Sequence, residues 1–413
     1  MEEYDVLVVG AGPAGSTAAF RLAERGHHVL LIEEHPTVGH PVQCAGLVSQ
    51  RVLDLAGSTS MVRAPVRGAA VFGPGLGEIT FRADQPRAYA IDRAGLDLYL
   101  GERAVKAGAT LETAVRFDGL VGPVNGHAVA RLTGADGAHR EVGAQLVIGA
   151  DGVASAVARA FRLRRPVEIL PAFEAEYASC PGDPDLVEVY LGRSFAPGLF
   201  GWWIPDGQGG ARIGIAADAD GTPAREYFER LARHVERRFG RPLPAPISYL
   251  ASGIPIGAVP RTVADRGLLV GDAAAQVKPL SGGGIFTGMR CAELAAEASD
   301  RALRAGDLSA HGLAPYEHAW RAEFGEEFRR ALYLRRVFAR LSDKDLDALV
   351  AALQGGRLAG TIVAFGDIDF PSHVARELLR ESPSLVRLLP KALGAWMGGD
   401  AYRAPDLEPP RRK

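Results

Sequence analysis

The earliest residues with an evident chemical meaning are the spaced glycines of Gly10-Ala-Gly12-Pro-Ala14-Gly15, set directly behind the apolar run 6–9. Gly10 permits a tight turn after a buried strand. Gly12 lets a diphosphate approach the backbone, and Gly15 lets a following helix pack closely on the strand. The start of that helix offers free N–H groups and the positive end of a dipole, both suited to phosphate. A second apolar run, 29–32, ends in Glu33. This is about 20 residues beyond the glycines, where a carboxylate can accept from ribose hydroxyls. Strand, turn, helix and acid together predict a bound dinucleotide, which a bare glycine match would not.

Other residues could act near such a cofactor. The loop 35–49 carries His35, His40 and Cys44. Two histidines with no third ligand in register make no metal site. The Cys44 thiol could shape a pocket or move a proton, or be a small buried hydrophobe. Further on, Gly271-Asp272 leads through Lys278-Pro279 to Gly282, Gly283 and Gly284 and then a helix. A helix start there would favour negative charge on a ring nearby. Lys278 could steer an anionic group or be an ordinary surface lysine. Trp202 and Trp203 fall in a strand, so one should face a cavity and the other a core.

The elements that must hold these groups follow from pattern. A helix is expected over 16–25, and another from an Asp92 N-cap to Lys106. Short strands are expected near 110–115 and 128–132, and a hairpin from 67–72 and 78–83. The segments 173–178, 186–191, 199–204 and 211–216 alternate between apolar and polar and read as a sheet. The helix Ala224–Phe239 interrupts that sheet, and helical pattern dominates from 284 onward. Two stretches, 328–341 and 384–397, are amphipathic and could lie on lipid or close a core.

Composition narrows the class. The 413 residues are 47% hydrophobic and carry a net charge of -2, which argues against a nucleic-acid partner. Three scattered cysteines form no disulfide framework or zinc pattern and point to a reducing cytoplasm. The acidic start Met1-Glu-Glu-Tyr-Asp lacks the basic beginning of a signal peptide. Nothing apolar is long enough to span a bilayer, so membrane contact would be peripheral.

Four motifs occur in a familiar order: Gly10–Gly15 with Glu33; Tyr89-x-Ile-x-Arg93-x-x-Leu-Asp97; Asp151-Gly152; and Gly271-Asp272 with Pro279 and the three glycines. Together they resemble FAD-dependent enzymes of the aromatic-hydroxylase superfamily. Pro41-Val-x-Cys44 with Gly46 and Ser49, and Phe200-x-Trp202-x-Ile204-Pro205, resemble the geranylgeranyl reductase family within it. The resemblance implies an α/β fold: a Rossmann-like FAD-binding domain (1–64, 85–165 and 255–305), an inserted antiparallel β-sheet substrate domain (65–84 and 166–254), and a C-terminal helical region (306–413). It implies cofactor contacts from Gly10, Gly12, Ala14, Gly15, Glu33, Cys44, Ala45, Arg93, Val115, Asp272, Gly283, Gly284 and Ile285. Phe200, Trp202, Ile204 and Pro205 would meet the substrate, and Cys44 is the one candidate catalytic side chain.

The implied reaction is saturation of double bonds in a polyprenyl lipid, prenyl diphosphate or prenylquinone by hydride from the flavin and a proton from Cys44 or water. NAD(P)H or ferredoxin would supply electrons. Two rivals share the FAD motifs: a monooxygenase or halogenase, and a flavoprotein passing electrons to a quinone. Trp202, Ile204 and Pro205 also fit the halogenase pattern Trp-x-Trp-x-Ile-Pro, but the lysine that halogenases use is absent, since 1–104 contains no Lys.

Overall fold

The computed structural model describes residues 1–381 except 125, 165, 167, 258 and 355. Its first sheet grows from the strand Glu2–Val9, in which Val6, Leu7 and Val8 are fully buried. Five parallel strands run in the order Gly267–Leu269, His139–Gly149, Glu2–Val9, Val29–Glu33 and Thr110–Thr113. A parallel sheet is covered on both faces, so its strands read as continuous apolar runs. Helix Pro13–Ala23 covers one face, with Arg93–Lys106 and Ile285–Ala305 packed against it. Asp92 caps Arg93–Lys106 by accepting from Gly95 N at 3.0 Å, as the sequence led us to expect.

The other face is covered by antiparallel strands, Arg116–Val124 and His127–Thr133, which extend from His139–Gly149. The first of these was not expected. Gly119, Gly122 and Pro123 break its alternation, and the ladder answers with shifts of register at its partner.

The second sheet has seven strands in the order Ser248–Ile256, Glu168–Tyr177, Ala211–Ala216, Gly201–Pro205, Leu186–Tyr190, Gly68–Phe72 and Glu78–Arg82. One junction departs from the expected antiparallel pattern: Gly68–Phe72 and Leu186–Tyr190 run parallel. The long intervening chain makes a parallel return possible, since no hairpin has to join them. Helix Ala224–Phe239 lays Tyr227, Phe228, Leu231 and Val235 on one face of this sheet and stops at Gly240, whose φ is +66°. The opposite face turns toward the first sheet. Ala211–Ala216 is therefore buried along its whole length.

A small sheet of Leu47–Val48, Ala88–Ile91 and Val62–Val66 joins the two, so the loop expected over 35–49 ends as a strand. Of the apolar face expected over 328–341, Ala331 and Leu341 are buried, Phe338 packs against the cluster that holds Leu341, and Leu334 is half-buried, so most of that face closes a core. The other amphipathic stretch, 384–397, lies outside the described residues. No helix among the described residues is long and apolar enough to cross a membrane.

Candidate functional site

Two of the three opening glycines are required by the chain itself. Gly10 has φ +100°, and a Cβ on it would lie 2.5 Å from the Ala150 carbonyl oxygen. A Cβ on Gly15 would lie 1.8 Å from the Gly10 oxygen. Gly12 differs: a Cβ there would meet nothing within 4 Å, so the space beside it is open. Gly12 also begins helix Pro13–Ala23 without any side-chain cap. Ala14 touches the Gly271 turn, where an added Cβ would come to 3.0 Å from its own. Glu33 stands against this turn, accepting from Ala11 N at 3.0 Å through Oε2 and contacting His35 Nδ1 at 2.7 Å through Oε1. Val115 donates its N–H to the Glu33 carbonyl at 2.9 Å. His40 is exposed.

Next to the turn are Arg93, Asp97 and Asp272, with the Cys44 thiol beside them. Burial works against the Arg93 guanidinium, but Asp97 and Cys44 beside it hold it protonated above its ordinary value. Its Nε is buried without a hydrogen-bond partner among the described residues. The Asp272 carboxyl is pushed up to about 6 by burial, which the Arg93 charge only partly offsets. Cys44 is half-buried and its Sγ accepts from Gly46 N at 3.4 Å.

The loop that follows Asp272 is scaffolded from below. Gln276 accepts from Gly271 N at 2.8 Å and donates to Tyr316 Oη at 2.7 Å, and Tyr316 donates to the Leu269 carbonyl. The loop ends at Gly284, which starts helix Ile285–Ala305, again with no side-chain cap. Lys278 is no surface lysine. It is 4% exposed and donates to Asp369 Oδ1 at 2.9 Å and to the Ile368 carbonyl. Asp369 and Asp367 also bind Arg51, so the segment 367–369 is strapped across the loop that bears Gly283.

The sheet presents its motif to these elements. Phe200 precedes the strand Gly201–Pro205 and meets Trp202 edge to face at 6.4 Å. Trp202 and buried Ile204 share one apolar cluster with Ala45 and Leu47 of the Cys44 loop. Pro205 is buried. Trp203 points to the opposite face, 2% exposed among Tyr190, Ile213 and Leu231.

Two polar residues at this junction were not singled out in the sequence. Glu174 accepts from Trp202 Nε1 at 2.7 Å and is 4% exposed. Arg212 is buried as well and donates to the Ile91 carbonyl at 3.1 Å. A signal for Glu174 existed: Glu174 and Glu176 alternate with Phe173, Ala175 and Tyr177, so two carboxylates share one face of the strand.

Open space at Gly12, two uncapped helix starts and an unpaired buried guanidinium nitrogen together suit a large phosphate-bearing cofactor. A family model described as FAD binding domain matches residues 3–319. The chain is 36% identical over 399 residues to digeranylgeranylglycerophospholipid reductase 2 of Methanothermobacter thermautotrophicus, spanning 94% of this chain and 99% of that protein. Its fold is similar to the crystal structure of a geranylgeranyl bacteriochlorophyll reductase-like protein of Thermoplasma acidophilum, with TM-score 0.82, 27% identity and coverage of 95% and 100%. A flavin-dependent brominase shares the fold more loosely, at TM-score 0.69 and 18% identity over 93% of this chain and 99% of that one.

Proposed function

Because the chain belongs to the geranylgeranyl reductase family of FAD-dependent oxidoreductases, we propose that it saturates double bonds in geranylgeranyl chains carried by a polar lipid. The carrying observation is the apolar cluster in which Ala45 of the Cys44 loop meets Trp202 and Ile204 of the sheet. An isoprenoid chain offers area and no hydrogen bonds, which suits an aromatic and aliphatic wall.

Reduced FAD, when bound, supplies the hydride. The glycine turn and Glu33 hold its adenosine diphosphate half, with Val115 closing the far side of Glu33. Arg93 and Asp272 hold the chain that leads to the ring. The uncapped helix start at Gly283, Gly284 and Ile285 favours negative charge there. Trp202, Ile204 and Phe200 keep the substrate chain dry and aligned, while Pro205, opposite Ala211 on the Trp203 side, ends the strand behind them. An isolated alkene takes hydride only as a proton reaches its other carbon, and Cys44 Sγ or a water beside it is the place that proton waits. Electrons arrive from a transiently docked donor, a nicotinamide or ferredoxin. Peripheral contact with a membrane brings the lipid within reach.

The test is anaerobic. Reduced protein is mixed with a digeranylgeranyl glycerolipid, and the product is weighed by mass spectrometry. Gain of hydrogen pairs supports the reading; gain of oxygen in air, or no change in the lipid, overturns it.

A further inference from the structure

The hydrogen bond between Trp202 and Glu174 rests on three strands. Trp202 lies opposite Gly214 on the next strand, and Gly214 lies opposite Glu174 on the one beyond. Directly opposed residues share a face of the sheet, so the three form one row. The middle position has no side chain. A Cβ on Gly214 would lie 2.5 Å from Trp202 Cζ2, so the indole lies across that glycine and reaches Glu174 two strands away. Among the described residues Glu174 makes no ion pair within 4 Å. The charged neighbours facing it are Arg212 on the adjacent strand and Glu176 on its own, while Leu250 lies opposite on the remaining side. Arg212 directs its guanidinium to Ile91 instead.

We propose that Glu174 is a positioning residue for the reductase reaction: it fixes the plane of Trp202 across Gly214 and, as a carboxylate, makes that indole a more electron-rich wall for the reacting part of the prenyl chain. The proposal rests on the reading that Trp202 lines the prenyl slot. An alkene gaining a proton develops positive charge, and an indole face attracts positive charge through its quadrupole. A carboxylate on the indole N–H strengthens that face; a neutral acid does so less. Burial pushes the Glu174 carboxyl up to about 7, with the Trp202 bond and Arg212 opposing and Glu176 reinforcing. The charge behind the ring therefore changes within the working range of pH.

The test separates this device from the substrate assignment. The full-length FAD-loaded protein is labelled with 5-fluorotryptophan, and the Trp202 fluorine resonance is assigned by its loss in Trp202→Phe. It should titrate near neutral pH in the wild type and stay flat in Glu174→Gln. A Trp202 signal indifferent to pH in the wild type, or one titrating equally in Glu174→Gln, overturns the proposal whatever the lipid result. In turnover, kcat should rise severalfold through neutral pH, a fraction of a full desolvated cation–π contact, because the indole face is present in both states. Glu174→Gln should remain at the acid level with its FAD content unchanged, and Glu174→Leu should also raise KM as the ring loses its acceptor. Adding Glu174→Gln to Trp202→Phe should change nothing further; an additive loss would show that Glu174 acts by another route and overturn it. A titrating resonance in a protein that leaves prenyl lipids untouched would sink the substrate reading while the Glu174–Trp202 coupling stands.

Discussion

Trp202 and Trp203 are neighbours in one strand, yet they belong to different kinds of surface. Trp203 enters a closed core under helix Ala224–Phe239, and its Nε1 reaches only Cys180 Sγ at 3.3 Å, a weak acceptor. Trp202 enters the junction between the two sheets, where it is half-buried and bonded to a carboxyl group. One face of the sheet is packed with Tyr190, Phe195, Ile213 and Phe228. The other combines apolar side chains with Glu174 and Arg212. Each face buries a carboxyl group, but Glu188 on the Trp203 side is bonded to Tyr190 Oη and paired with Arg238, whereas Glu174 is bonded to the Trp202 indole and makes no ion pair among the described residues. The same residue type thus holds the fold on one side and shapes a site on the other.

The comparison can be broken most sharply at Trp203. Trp203→Ala should cost about 3–5 kcal/mol of stability, read by denaturant or thermal melting. An unchanged melting temperature would mean that this face is not the structural one.

Two buried groups, His234 on one side and Glu174 on the other, should also respond oppositely to pH, while Glu188 beside Trp203 shares the sign of Glu174. Behind Trp203, burial and then Arg237 push His234 down to about 4. Its contribution is present above the ordinary histidine value and is lost as pH falls through about 4. Glu174 has the opposite sign: its raised value gives a contribution present below the ordinary carboxyl range and lost as pH rises through about 7. Each limb amounts to at most about 3 kcal/mol. Melting curves of His234→Phe should lose the acid limb, and those of Glu174→Gln the neutral one.

Trp202→Leu should cost about 1–3 kcal/mol of stability, less than Trp203→Ala, because it removes part of a half-buried ring and strands the Glu174 acceptor. It should lower kcat/KM on the order of a hundredfold, the scale of a misplaced substrate. The smallest change in side-chain size is Gly214→Ala, whose Cβ meets the Trp202 ring and lies 2.9 Å from the Phe173 carbonyl oxygen, so both ring and strand must give. FAD should still bind, and lipid turnover should drop about tenfold, within the size of a desolvated cation–π contact. Full turnover in Gly214→Ala would show that the ring plane is irrelevant.

What could be read from the sequence was what local backbone demands write into it. Gly10 and Gly15 are glycine because a Cβ would strike the neighbouring chain, and such demands leave a spaced pattern. The alternation that sends Trp202 and Trp203 apart is equally local. Which tryptophan faces the site is decided by what packs on each side of the sheet, and the sequence is silent on that. The Trp202–Gly214–Glu174 row depends on the register of three strands, a non-local property. Lys278 looked like a surface residue because its partner, Asp369, arrives from a distant segment. The strand Arg116–Val124 was hidden by the glycines that shape its bulges.

The parallel pairing of Gly68–Phe72 with Leu186–Tyr190 has a consequence for how the protein is made. The hairpin leaves the ribosome long before the strand that will zip onto it, and its bare edge waits while most of the nucleotide-binding unit emerges. The second sheet has all its strands once Ile256 is made, before Gly267–Leu269 arrives to complete the first. During synthesis that waiting edge is where a nascent chain can stick to a copy of itself, and where a chaperone would do the most good.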